Sequence, residues 1–184
     1  MGKNKYASFL PKNLNDYLSV YWGYYQHIED EFISIFQSST VDKYKAASLY
    51  LSIGSEIDVM FKVLILIIDD KYNGINIDKH REVFDELVSV GDMVPYDVPI
   101  TTLSGTSFSP WSDTKWWKTY NMIKHQRALK DSNGDLYFSH ATKSNIEKAL
   151  GALYILERNY IDIIREAVDG DYPEFDQCKS KLFK

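Results

Sequence analysis

The chain has 184 residues, 45% of them hydrophobic and 26% charged, with a formal net charge of −5. That length and composition fit one globular domain with a sizeable core, and the acidic balance excludes a protein that holds nucleic acid over its whole surface. A single cysteine, Cys178, excludes an internal disulfide framework and a cysteine-cluster zinc site, and fits a reducing, cytoplasmic compartment.

The N-terminal stretch MGKNKYASFLPKN lacks the apolar core of a signal peptide. The spacing then predicts a first helix over 14–37, capped by Asn13 or Asn15, with Tyr17, Tyr21, Tyr24, Ile28, Phe32 and Ile35 recurring at helical intervals. His27, among those tyrosines, reads as a packed or surface histidine. A second helix is predicted over 41–69, with Thr40 or Asp42 as its cap. Its run IDVMFKVLILII is the most apolar of the chain, but it carries Asp58 and Lys62 and is too short to span a bilayer, so no membrane is expected.

Asn73-Gly74 breaks the chain, and a short amphipathic helix follows over 79–90, opened by His80-Arg81, which read as solvated. Residues 91–111 carry Pro95, Pro99, Pro110, Gly91 and Gly105 and read as a long lid or binding loop, with room for a short strand. A third long helix is predicted over 112–130, then a turn or small hairpin at 131–135. A fourth runs over 142–168, with a capping-box spacing from Ser144 to Glu147 and a stripe of Ile146, Leu150, Leu153, Leu156, Tyr160, Ile163 and Ala167. Residues 169–184 read as a frayed tail. The expected architecture is a single all-α domain, a four-to-five-helix up-down bundle with its core over about 14–168 and a long crossover between the second and third long helices.

The third helix, KWWKTYNMIKHQRALK, carries the functional signal. With Trp116 at zero on the helical wheel, Arg127 falls near 20°, Tyr120 near 40°, Lys124 near 80°, Asn121 near 140° and His125 near 180°. Aromatic rings and cations therefore share a face. One reading is snorkelling, with long basic stems covering the rings. On the second helix, with Leu49 at zero, Glu56 falls near −20°, within the stripe of Ile53, Met60 and Ile67, while Asp58 and Lys62 form an (i, i+4) pair on the far side. A carboxylate in one stripe and cations in the other predict that Glu56 meets Arg127 or Lys124. Such a pair either fixes helix register alone or belongs to a polar pocket of Glu56, Asn121, Lys124, His125 and Arg127.

Tyr-Asn-x-x-Lys-His-x-Arg on the third helix, Ser55-Glu56-Ile57 with Lys62 on the second, and Asn145 with Ala149-Leu150 on the fourth together resemble the HEPN superfamily, over about residues 45–160. The resemblance implies a helical bundle, a homodimer, and in many members an RNA-cleaving site at the dimer interface that works without metal, in toxins and abortive-infection proteins paired with antitoxins. Other members bind nucleotides or are catalytically silent. The usual motif of that superfamily, Arg followed by His after four to six residues, is absent; His125-x-Arg127 stands in the reversed order. In the chemistry so implied, His125 is the base or acid, Lys124 and Arg127 hold the phosphate, Asn121 positions the ribose or the imidazole, and Glu56 orients a cation. His140 can approach the same helix, and Trp116 and Trp117 are core residues or base-stacking platforms. No Walker loop, nucleophile elbow, zinc signature or dinucleotide turn is present, so neither cofactor nor metal is expected. The competing expectation is a non-catalytic bundle that binds a partner protein or a nucleotide.

Overall fold

The computed structural model describes residues 16, 18–69, 71–74, 76–91, 95–167 and 176–184. It is mostly helical. A π-helical turn, Leu18–Trp22, leads directly into α1, Gly23–Gln37. α2 spans Lys43–Ile68, α3 Ile77–Ser89, α4 Lys115–Gln126 and α5 Lys143–Ala167. Between α3 and α4 lies a short antiparallel hairpin, β1 (Ile100–Thr101) and β2 (Ser107–Phe108), with Ile100 opposite Phe108. The predicted caps Asn13 and Asn15, and Tyr17, lie outside the described residues, as do 168–175 at the end of the fourth helix and the start of the tail.

The ends of the helices follow from local chemistry. The Asp42 carboxylate accepts the backbone N–H of Tyr44 at 2.9 Å and of Lys45 at 3.1 Å, which starts α2. Asn76 accepts the Lys79 N–H at 2.9 Å and starts α3. Thr142 takes that place for α5, accepting the Asn145 N–H at 3.4 Å, two residues before the expected Ser144. α4 stops at Gln126, short of the expected Lys130, because the chain folds back. The Leu129 carbonyl accepts the Tyr137 N–H at 3.0 Å, and Lys130 bridges Leu136.

α2 lies at the centre, packed against α1, α3, α4 and α5. Its buried residues run from Leu49 and Ile67 round to Ala47 and Ile65, an arc of about 160° rather than a narrow stripe. Seven aromatics from five segments, Phe61, Phe84, Tyr96, Trp111, Trp116, Trp117 and Tyr120, then form a continuous chain of edge-on and tilted contacts. The Trp116 indole N–H donates to the Pro110 carbonyl at 2.7 Å, and the Tyr50 hydroxyl donates to the Trp116 carbonyl at 2.5 Å. Residues 95–111 are thus seated on the core through Tyr96, Ile100 and Trp111, which are 2%, 6% and 2% exposed.

α4 approaches α2 at Gly54, where a Cβ would overlap the Tyr120 ring. That ring is buried and cannot swing away. Gly54→Ala is therefore expected to cost about 1–3 kcal/mol by overpacking, despite the better helix propensity of alanine, as read by chemical denaturation. A neutral or stabilising result would show that the α2–α4 seam yields.

The expected frayed tail is corrected over its described part. Residues 176–184 are tied to the body, with Cys178 and Phe183 each 2% exposed. The Leu103 N–H donates to the Leu182 carbonyl at 2.7 Å, and Thr102 bridges Phe183 in antiparallel fashion, so the tail extends the hairpin. Its anchor is Glu29, fully buried on α1, which accepts the N–H groups of Lys181 at 2.9 Å and Leu182 at 3.2 Å. No helix among the described residues is long and apolar enough to cross a membrane.

Candidate functional site

The outer side of α4 forms one wall of an open cleft of about 700 Å³, and the start of α3 forms the other. Asn121, Lys124 and His125 line it, as the sequence led us to expect, joined by Lys118 and by the Trp117 and Tyr120 rings. Asp58 of α2 and Asn76 and Asp78 at the head of α3 supply the remaining polar groups. The cleft is mixed in charge and reaches solvent.

Two expected members are elsewhere. Arg127 closes α4 at its C-terminal end, its backbone still helical. It is exposed and lines a different, apolar groove with Tyr44, Leu51, Ile123 and Phe138. Glu56 sits at the margin of the wide buried arc of α2, half-buried, and burial pushes its carboxyl pKa up with no cation to offset it. No ion pair joins Glu56 to Arg127 or Lys124, and both cations are exposed. The inward-pointing charge pair is thus overturned. Lys124 snorkels instead, its ammonium 5.5 Å from the Tyr120 ring centre.

The residue that sequence reasoning missed is His80. It is fully buried, not solvated. Ile77, His80 and Phe84 are the buried residues of α3, at helical spacing, and that spacing was the available signal. His80 Nε2 lies 2.9 Å from a carboxylate oxygen of Asp58, whose other oxygen is 2.7 Å from the Lys62 ammonium. A carboxylate only accepts, so the neutral ring carries its proton on Nε2, and Nδ1 accepts the hydroxyl proton of Tyr72. The loop closes over that hydroxyl because residue 74 is glycine; a Cβ there would overlap the Tyr72 oxygen. Burial depresses the His80 pKa, against the pull of Asp58, while burial and the Asp58 charge raise that of Tyr72. Asp58 therefore belongs to two structures at once: the wall of the cleft and a Tyr72–His80–Asp58–Lys62 chain behind it.

His27 is exposed, as expected, stacked near Tyr24. His140 stays with its own turn, 3.0 Å from Asp131, and does not line the cleft. Trp116 is a core residue, whereas Trp117 is half-buried and lines the cleft. Comparison with family models, curated proteins and solved structures found no match.

Proposed function

We propose that this protein is a HEPN-like RNA-binding effector that works without metal, and that the α4 cleft is where RNA is held and cut. What supports the reading is that Asn121, Lys124 and His125 line one solvent-open cleft, beside Lys118 and two aromatic rings. Lysines of this kind hold a phosphate as point charges, and Trp117 offers a face against which an unpaired base can stack. His125 is the proton-transfer group on α4, and Asp58 is a carboxylate on the facing side. In the reaction so served, a ribose 2′-oxygen gives its proton to the base and attacks phosphorus. The P–O5′ bond breaks, the acid protonates the leaving oxygen, and a 2′,3′-cyclic phosphate remains. Arg127 and Glu56 have no part in it.

The test is incubation of total RNA with purified protein in EDTA, beside His125→Ala and Lys118→Gln/Lys124→Gln, with mass in solution measured for each. His125→Ala is expected to lower cleavage about 100-fold or more with RNA affinity nearly kept. The lysine pair is expected to weaken RNA binding and flatten its salt dependence. No saturable RNA binding by the wild type would end the proposal. A second reading, a non-catalytic bundle that binds a partner protein, is favoured by the apolar groove beside Tyr44, which is 78% exposed. Under that reading RNA is ignored and a Tyr44→Ser variant loses the partner.

A further inference from the structure

A second cavity, of about 540 Å³, lies on another part of the molecule, between the β1–β2 hairpin, α5 and the C-terminal segment. The 91–111 connection, expected to be a lid or binding loop, lines this cavity through Val98, Pro99, Ile100 and Leu103, and none of its described residues lines the α4 cleft. The polar lining is one-sided. Among the described residues, Arg158, Lys179 and Lys184 contribute cations, and no carboxylate side chain lines the cavity. In a chain of net charge −5 that is not background.

The cations are also unspent. Arg158 is half-buried on α5, yet its guanidinium is in no ion pair or hydrogen bond with the described residues. Its (i, i+4) neighbour Asp162 does not engage it, and the side chains of Lys179 and Lys184 have no partners among the described residues either. The nearby Glu29 carboxylate spends both oxygens on the Ser180–Leu182 segment and so fixes this wall in place. Tyr154 is the second observation. Its side chain is 8% exposed, it lines the cavity, and its hydroxyl makes no hydrogen bond within the described residues. Burial raises the pKa of that hydroxyl and of the Cys178 thiol, and the Arg158 charge offsets part of the rise in both. Guanidinium and phenol stand one helical turn apart on α5 and line the same cavity, and neither has an acceptor among the described residues.

We propose that this cavity binds a small organic phosphate: the phosphate on Arg158, Lys179, Lys184 and the Tyr154 hydroxyl, its apolar body on the Ile100, Leu103 and Phe183 wall. A carboxylate is satisfied by one arginine fork. Three separate cations and a hydroxyl suit a dianion with three equivalent oxygens. The site owes nothing to the RNA reading of the α4 cleft and stands or falls apart from it.

The probe is 1-naphthyl phosphate, titrated into the full chain by calorimetry, with inorganic phosphate, 1-naphthol and 1-naphthoate as separate arms. The phosphate ester is expected to bind one per chain, about 10-fold or more tighter than each of the other three. Arg158→Gln is expected to weaken it about 10-fold, and Tyr154→Phe about 3-fold. Arg158 packs in the fold, so Lys179→Gln/Lys184→Gln, at exposed positions, provides the second variant and is expected to weaken binding without moving Tm. Lys118→Gln/Lys124→Gln in the α4 cleft is expected to leave binding unchanged. Absence of saturable wild-type binding at millimolar ester would overturn the proposal. So would equal affinity for naphthoate, binding that survives both the Arg158 variant and the Lys179/Lys184 pair, or binding lost with the α4 lysines instead.

Discussion

Glu29→Ala is expected to release the C-terminal segment and to cost about 3–5 kcal/mol in global stability, the range for removing a buried charged partner. The carboxylate is wholly buried and accepts from Tyr25 at 3.1 Å, from Lys181 N at 2.9 Å, from Leu182 N at 3.2 Å and from the Ser180 hydroxyl. Removing it strands several donors in the interior at once. The loss spreads outward, because the same segment holds the hairpin. Leu103 N–H donates to the Leu182 carbonyl at 2.7 Å, and Lys184 N–H to the Thr101 carbonyl at 2.8 Å. Phe183 packs its ring 5.6 Å from that of Tyr154 and 6.2 Å from that of Phe108. Hydrogen exchange should therefore show Lys181, Leu182, Leu103 and Thr102 losing protection together in Glu29→Ala, with α4 amides unaffected. Glu29→Gln, which keeps an acceptor, should lose less than half as much. Local exchange in 181–184 with unchanged global stability would mean that the tail is an accessory, and the estimate would be wrong.

Much of the fold was legible. α2, α3 and α5 begin and end within about two residues of the expected bounds, because hydrophobic spacing and the Asp42 and Asn76 side chains mark them. The Asp58–Lys62 pair formed as its (i, i+4) spacing required. The candidate site was half legible. Asn121, Lys124 and His125 share one cleft because they share the outer side of a helix, which the wheel describes well. Arg127 and Glu56 were misplaced for two separate reasons. Arg127 closes α4, where its wheel direction leads to an exposed position beside Ile123 and Tyr44 and to no buried carboxylate. On α2 the buried arc is so wide that its centre was taken from the wrong edge, placing Glu56 in the core instead of at the margin. Glu29 and His80 were overlooked because charged or titratable letters were weighed by type, not position. Both recur at helical spacing with buried neighbours: Glu29 with Tyr25 and Phe32, His80 with Ile77 and Phe84. Their partners, a C-terminal backbone segment and a helix more than a dozen residues upstream, lie far along the chain, where local pattern carries no signal.

Stability is expected to fall as pH drops below about 6.5, through His80. Burial lowers the folded-state pKa of this ring below its unfolded value of 6.5, so between the two values the unfolded chain binds more protons. The contribution is present above 6.5 and is lost as pH falls toward the folded-state value. Asp58, Lys62 and Tyr72 are the charged and titratable groups that face the ring, and Asp58 limits the shift without abolishing it. His80→Gln isolates the effect: an amide can still donate to Asp58 and accept from Tyr72, but it does not titrate. Denaturation of both proteins at pH 7.5 and pH 5 should show the variant weaker at the higher pH yet flatter between the two. Subtracting one slope from the other removes what His27, His125 and His140 contribute to both. His80→Ala should cost about 2–4 kcal/mol at pH 7.5, since it opens a cavity against Phe61 as well as breaking the chain of hydrogen bonds. Equal slopes in wild type and His80→Gln would sink the assignment. A steeper wild type would tie acid sensitivity to the group behind Asp58. The carboxylate facing the α4 cleft would then lose its neutral donor over the same pH range in which the fold loosens, so that cleft and core respond to acid together.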